Sequence, residues 1–404
     1  MGFEPLFKGT KLIGHSDLNG RGDCLQLQKW GKYLYVSHMW STGFSVVDVS
    51  DPTSPEVVAY VPSASPNEWN IKNRVIDNTL LVSSEWAFFQ PNSDYWEYRK
   101  KGLNPEDASS KTPHKKGLNI YDVSDPKNPK LLSFFPTGGN YGVHRFWFDG
   151  NYAYLSTSMD GYFSNIFMIV DVTDRKAPKE ISRWWYPGQW IAGGERPPWP
   201  KDYRPRHHHP IVSGDRAYAG WFDAGLVILD ISSLKRPTFV SGLNMRPPYG
   251  GKTHTCLPIK DRNYLVVTEE ATFEPLDKEK YIWIIDIREE KKPLPVARFP
   301  VPDRRLIERG IRFGPHNIHE NVPGSMVDEE RIYATYCSAG LRIYDISDVY
   351  RPKEIGYYVP GTPKIVNDPL HGPIVDVNDV FVDEKGLIYL SNYNGGIDIL
   401  EFKD

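Results

Sequence analysis

Short apolar runs rich in Val, Ile, Tyr and Phe recur along the whole chain, separated by polar turn residues. HRFWFDGNYAYLSTS (144–158) and HHPIVSGDRAYAGW (208–221) show the form. Such β-branched and aromatic runs, bounded by Gly, Asn and Asp, predict strands joined by tight turns. A longer period overlies them. SVVDVSDPTSPEVVAYVP (45–62), LNIYDVSDPKNPKLLSFFP (118–136), FMIVDVTDRKAPKEISRWWYP (167–187), LVILDISSLKRPTFVSGL (226–243), IWIIDIREEKKPLPVARFP (282–300) and LRIYDISDVYRPKEIGYYVP (341–360) share one grammar. Each is an apolar strand ending in Asp, then a polar turn, a proline and a second strand. Asp48, Asp122, Asp171, Asp230, Asp286 and Asp345 are each followed seven residues later by Pro55, Pro129, Pro178, Pro237, Pro293 and Pro352. A seventh copy starts at GGIDILEF (395–402), with Glu401 at the Asp position and no partner strand after it. PLFKGTKLIG (5–14) is the obvious donor of that strand.

Two further strands lie upstream of each Asp strand, so the repeat predicts four strands per unit and seven units. The expectation is an all-β fold, a seven-bladed β-propeller closed by the N-terminal strand pairing with the C-terminal blade, forming a single domain over 1–404. Closure removes exposed sheet edges. In such blades the turn between the first two strands and the turn between the last two share one face, and here these are mostly short. The insertions fall on the opposite face, near 84–116, 187–206, 244–252, 269–280, 301–313 and 361–373. Long loops on a rigid scaffold are where ligands are usually met. Trp86, Tyr95, Trp96, Trp190, Trp199 and Tyr249 lie in these loops and could wall a flat or apolar ligand, or pack loop against loop. The motifs VVDVSDP, IYDVSDP, IVDVTD and IYDISD resemble those of the LVIVD-repeat propellers along essentially the whole chain. The resemblance implies the architecture and no particular reaction.

Composition narrows the function. A formal net charge of −3 with scattered basic residues gives no field for a polyanion or an anionic membrane, so neither nucleic acid nor membrane is expected as a partner. Cys24, Cys256 and Cys337 are far apart and read as free thiols. Without an apolar leader, the chain reads as cytoplasmic, although a signal removed beforehand would leave no trace. Nothing specifies an oligomeric state. GGKT (250–253) lacks the first glycine of a phosphate loop, since Arg246 stands there, and neither GxSxG nor GxGxxG occurs.

Histidine carries the candidate chemistry. By register, His144, His208, His254 and His316 start the innermost strands of the third to sixth blades and face one axial channel. Neutral imidazole is a preferred ligand of divalent transition metals, so a converging ring of four could hold one ion. Iron is favoured, with zinc, copper or manganese as alternatives; the plain alternative is a polar channel of mutually hydrogen-bonded histidines. Asp23, Cys24, Asn70, Asn73, Asp376, Asn378 and Asp379 stand at that level in the other blades and would leave an open side. Glu85, Asp160, Glu269, Glu270 and Glu320 could orient the imidazoles. In the HHH run, strand alternation allows either His208 or the pair His207 and His209 to face the channel. His319 should point away. Glu85, Glu270 and His371 are the candidate acid/base residues.

These residues predict a metal-dependent enzyme acting on a small, partly aromatic or apolar molecule at the channel mouth. Non-haem-iron oxidative chemistry is favoured, because the arrangement is similar in outline to the seven-bladed carotenoid-cleaving oxygenases, whose own sequence signatures are absent here. Metal-assisted hydrolysis or elimination is the alternative within catalysis, and a non-catalytic binding propeller the alternative outside it.

Overall fold

In the computed structural model, which describes residues 2–91, 93–101, 113–200, 203–272 and 279–403, the apolar runs form seven antiparallel sheets. The expected loop segments 102–112, 201–202 and 273–278 lie outside the described residues. Blade 1 runs Cys24–Trp30, Tyr33–His38, Phe44–Asp48 and Glu56–Val61 in spatial order, and blades 3, 4 and 5 repeat this order with inner strands Val143–Phe148, His209–Ser213 and Thr253–Ile259. Blade 2 has a divided inner strand, Glu68–Trp69 and Asn73–Ile76, both pairing with Thr79–Trp86. In blade 6 the inner position is held by the bridge from Ile318 to Ala334 and by backbone hydrogen bonds of His316, Asn317 and His319 to Thr335 and Tyr333, and in blade 7 by Val377–Val382. Inner strands touch one another from blade 1 to blade 5, Arg331–Thr335 of blade 6 touches the inner strand of blade 7, and that strand touches the inner strand of blade 1. The chain is a seven-bladed β-propeller.

The recurrent Asp has a local cause. At the end of each third strand its carboxylate accepts the backbone N–H two residues on, as Asp48 does from Ser50, Asp122 from Ser124, Asp171 from Thr173, Asp230 from Ser232, Asp286 from Arg288 and Asp345 from Ser347. This Asx turn starts the reversal that the proline seven residues on completes. Apolar faces of adjacent blades then pack together. Phe167, Ile169, Ile211, Trp221, Val227 and Leu257, from blades 3, 4 and 5, are all buried in one cluster that also takes in blades 1, 6 and 7.

The N-terminal segment closes the ring in two pieces. Thr10–Ser16 pairs with Gly396–Phe402 and completes blade 7, while Leu6–Lys8 adds an outer strand to blade 6 along Lys353–Val359. Gly9, at φ +64°, makes the step between the two blades. One segment therefore latches both sheets at the seam.

The register of the inner strands breaks at the same place in blade after blade. Pairing slips between Val143 and Arg145, between Thr253 and Thr255, and between Val377 and Asp379, leaving His144, His254 and Asn378 as the extra residues. In blade 4 the His208 N–H donates to the Gly220 carbonyl while His209 is the register partner of Gly220, and in blade 6 His316 and Asn317 both bond Thr335. Each candidate histidine thus sits in a β-bulge, which bends the strand and re-aims the side chain. Gly220 is required here, because a Cβ would lie 2.3 Å from the His254 carbonyl oxygen.

Candidate metal centre

The bulges bring His144, His208, His254 and His316 into one continuous fan. Successive ring centroids are 4.7, 3.9 and 4.6 Å apart, and Nε2 of His144 lies 3.0 Å from Nε2 of His208. Outer nitrogens are tethered. Nδ1 of His144 lies 3.0 Å from Glu85 Oε1, that of His254 2.7 Å from Thr255 Oγ1, and that of His316 2.7 Å from the Asn378 carbonyl oxygen. Such contacts to oxygen set a ligating imidazole's tautomer and turn its other nitrogen inward as a lone pair. His208 is held instead by its ring, stacked on Phe222 at 5.0 Å and 17°. Nε2 of His254 and Nδ1 of His208 are buried without a hydrogen-bond partner.

Glu270 joins this group. Ligand atoms of His208, His254 and Glu270 all lie within 4.8 Å of one another, and Glu270 Oε1 is 3.8 Å from His316 Nε2. The His144 and Glu270 side chains each keep 14% exposure, which marks where solvent reaches the fan. Burial, reinforced by nearby Arg and Lys charges, holds all four imidazoles well below the ordinary histidine range, so they are neutral and ligand-competent. Burial also pushes Glu85 up to about 8, so it can carry a proton, and raises Glu270. The charges responsible are Lys72, Arg145, Arg206 and Arg312, and their presence in the channel could not be read from the repeat.

A second layer lies against the fan. Glu320 accepts from Arg74 Nη2 at 2.5 Å, from Arg145 Nη2 at 2.5 Å and from His209 Nε2 at 2.6 Å, tying blades 2, 3, 4 and 6 across the axis. The HHH run corrects the alternation argument: His208 enters the fan, His209 enters this second layer, and His207 stacks on Trp221 at 4.4 Å. A bulge places two successive side chains on one side, which a regular strand forbids. His319 does point away, its Nε2 lying 2.8 Å from the Met326 carbonyl oxygen and its ring beside Phe381.

Other candidates have other tasks. Nδ1 of His371 lies 2.9 Å from Asp368 in its own loop, and the structure does not join it to the four imidazoles. Asp376 is paired with Arg312, Asp379 accepts from the Leu27 N–H, Asp23 caps the 40–41 turn, Asn70 and Asn73 bond neighbouring strands, and Cys24 packs in the core. Asp160 accepts from the Gly139 N–H and Glu269 from the Tyr281 N–H. The loop aromatics mostly contact one another: Trp190 stacks on Tyr162, Trp199 packs on Phe163, Tyr249 on Trp283, and Tyr95 on Trp96. Phe222 stacks on His208 and, with Tyr141, lies against the Arg206 guanidinium.

The Glu85 contact is testable by itself. Glu85→Gln should weaken metal binding about 10- to 100-fold in competition with a chelator, the usual effect of losing a carboxylate behind a ligating histidine. An unchanged affinity would mean that Glu85 does not orient His144.

This is a seven-bladed β-propeller with an axial histidine centre. The LVIVD repeat model matches residues 22–61, 143–184 and 211–244, which fall in blades 1, 3 and 4, so the chain carries LVIVD repeats. No curated protein sequence matches it. Similar solved structures include the RRP9 WD40 repeats (8% identity, TM-score 0.58, covering 98% of this chain and 97% of that one). They also include a streptogramin B lyase (10% identity, TM-score 0.55, 98% of each chain). The periplasmic gluconolactonase PpgL of Pseudomonas aeruginosa is a third (10% identity, TM-score 0.54, 98% of this chain and 97% of that one). At these identities the likeness is one of fold, and both enzymes and WD40 propellers share it.

Proposed function

We propose that this propeller is a metal-dependent enzyme, with one divalent ion held by His144, His208, His254 and His316, acting on a small molecule that enters beside Glu270. The observation that carries this reading is the convergence of the four rings, three with Nδ1 tethered to oxygen, and of ligand atoms of His208, His254 and Glu270 within 4.8 Å of one another. Nε2 of His254 is buried there without a partner, and a ligand set awaiting its ion is a physical reason to keep so costly a group. Bound there by four neutral ligands, a divalent ion would keep its charge and act as a Lewis acid or, as iron, supply dioxygen chemistry. Iron-type oxidation is the favoured class. Glu85 would hold the His144 ring and its proton, and Phe222 would fix His208. The Arg206 guanidinium between Tyr141 and Phe222 would shape the entrance.

Glu270 supports a second reading. A carboxylate with raised proton affinity at the open edge of the fan suits a general base for hydrolysis or elimination. A lyase and a lactonase among the fold neighbours accord with this. Elemental analysis of the purified protein tests the shared premise. About one transition metal ion per chain is expected, and protein that neither carries nor takes up an ion would return the fold to the non-catalytic binding propellers. With metal present, substrate turnover that stops without dioxygen supports oxidation, and turnover indifferent to dioxygen supports the Glu270 reading.

A further inference from the structure

Two loops of blade 3 form a cavity of about 210 Å³ that the histidine centre does not use. It lies between the 137–142 segment, which leads into Val143–Phe148, and the 158–164 turn, which follows Tyr152–Ser158. Both loops are held in place. Ser158 Oγ accepts the N–H groups of Tyr141 and Gly142 and donates to the Gly138 carbonyl, Asp160 Oδ1 accepts the Gly139 N–H at 2.8 Å, and Gln189 Nε2 donates to the Phe163 carbonyl. The rings of Tyr141, Tyr162 and Phe163 line the cavity together with the polar side chains of Asn140, Asp160 and Ser164. Each ring already carries a guanidinium over one face: Arg206 at 5.4 Å from Tyr141, Arg183 at 5.6 Å from Tyr162 and Arg204 at 5.7 Å from Phe163. None of these arginines is part of the lining. An organic cation seeking a ring face would meet rings polarised by positive charge. The one charged lining group is the Asp160 carboxylate, so an anion finds no partner there either.

We propose that this cavity is a second binding site and that it takes the pyranose ring of a neutral sugar. The hydrogen-bonding capacity left in it suits hydroxyl groups. Among the described residues Asp160 Oδ2 accepts no hydrogen bond, and the exposed Asn140 amide, which can both donate and accept, makes none. Sugar hydroxyls would donate to Asp160 Oδ2 and exchange bonds with Asn140, while the C–H surface of the ring lies against Tyr162 and Phe163. An apolar cavity of about 150 Å³ holds benzene, so this one has room for a single six-membered ring and its substituents. Asp160 then serves this cavity and not a histidine of the channel. The site belongs to blade 3 alone and stands whether or not the fan holds an ion.

Saturation-transfer NMR on the full chain, with the methyl glycosides of glucose, galactose and mannose as probes, tests this. At least one should bind saturably, and Asp160→Asn should weaken it about tenfold, the loss of one charge-assisted hydrogen bond. Asn140→Ala, a change at an exposed side chain, should weaken the same glycoside with an unchanged Tm. That second variant keeps the test open if Asp160→Asn loosens the tie to Gly139. Cyclohexanol, which keeps the ring and a single hydroxyl, should bind far more weakly. A free monosaccharide and the end of a longer glycan share this chemistry: tighter binding of a trisaccharide of the same sugar marks the glycan end, and equal binding the free sugar. No binding of any of the three glycosides, affinity unchanged in both variants, or tighter binding of benzyltrimethylammonium or benzoate than of any glycoside would each overturn the proposal.

Discussion

Glu320→Gln should destabilise the folded protein by about 3–5 kcal/mol at pH 7, measured by urea unfolding, the range for removing one partner of a buried ion group. The side chain is almost fully buried and bonds Arg74, Arg145 and His209 at 2.5 to 2.6 Å. Glutamine keeps its size, so no cavity forms, but two guanidiniums lose their shared counter-charge in a medium where charge is poorly screened. Arg74 already lies over the Trp147 ring at 4.4 Å and cannot reach water without opening the channel. Burial pushes the Glu320 carboxyl up, but His209, Arg145 and Arg74 together outweigh it and hold the group well below its ordinary 4.5. The sign follows from linkage: a carboxyl depressed in the folded state contributes its full stability above about 4.5 and loses it as pH falls through the folded value. The gap between wild type and Glu320→Gln should therefore be constant above about pH 5 and narrow in more acidic solution. A gap under about 1 kcal/mol at pH 7 would show that the layer is not an ionic tie between blades.

His208→Ala and His254→Ala should each lower metal affinity by more than about 100-fold, beyond the effect of removing an orienting carboxylate. Folding of the metal-free chain should change little. Both rings carry a buried nitrogen without a partner, so truncation removes an unmet hydrogen-bonding need along with some packing. A second readout is metal-induced stabilisation. Metal at a thousandfold excess over its Kd should stabilise the wild type by about 4 kcal/mol and neither variant appreciably. His371→Ala is the control, because that ring is held by Asp368 in its own loop, and its metal content should match the wild type. Full metal retention in His208→Ala and His254→Ala would move the ion, if one binds, away from the fan.

The two layers divide the work of the channel. Glu320 draws Arg74, Arg145 and His209 together and braces four blades, and nitrogens of both layers are buried without a partner, Arg74 Nε and His209 Nδ1 in one and His254 Nε2 in the other. Natural proteins break the rule of full polar satisfaction chiefly at functional sites. What marks the fan is convergence, with ligand atoms of His208, His254 and Glu270 all within 4.8 Å of one another.

Much of this was legible along the chain. The Asp-to-Pro interval counted the blades because an Asx turn followed by a fixed proline is local chemistry, repeated wherever the third strand ends. The level of His144, His208, His254 and His316 followed from the repeat as well, since register places equivalent residues at equivalent heights. Strand alternation then misjudged the HHH run, because it cannot show where a bulge lies; His208 and His209 face the axis together only because both oppose Gly220. The split at Gly9, with one segment serving two blades, was equally hidden.

Sequence alone determined what short-range physics repeats: strand, turn, blade number and the height of the imidazoles. Tertiary structure alone decided the chemistry of the channel, because charges from blades far apart in the chain meet only on the axis. Lys72, Arg145, Glu270 and Glu320 carry no local signature. What each does depends on which neighbours it finds across the ring, and Coulomb energy in a buried channel is set by distance through space.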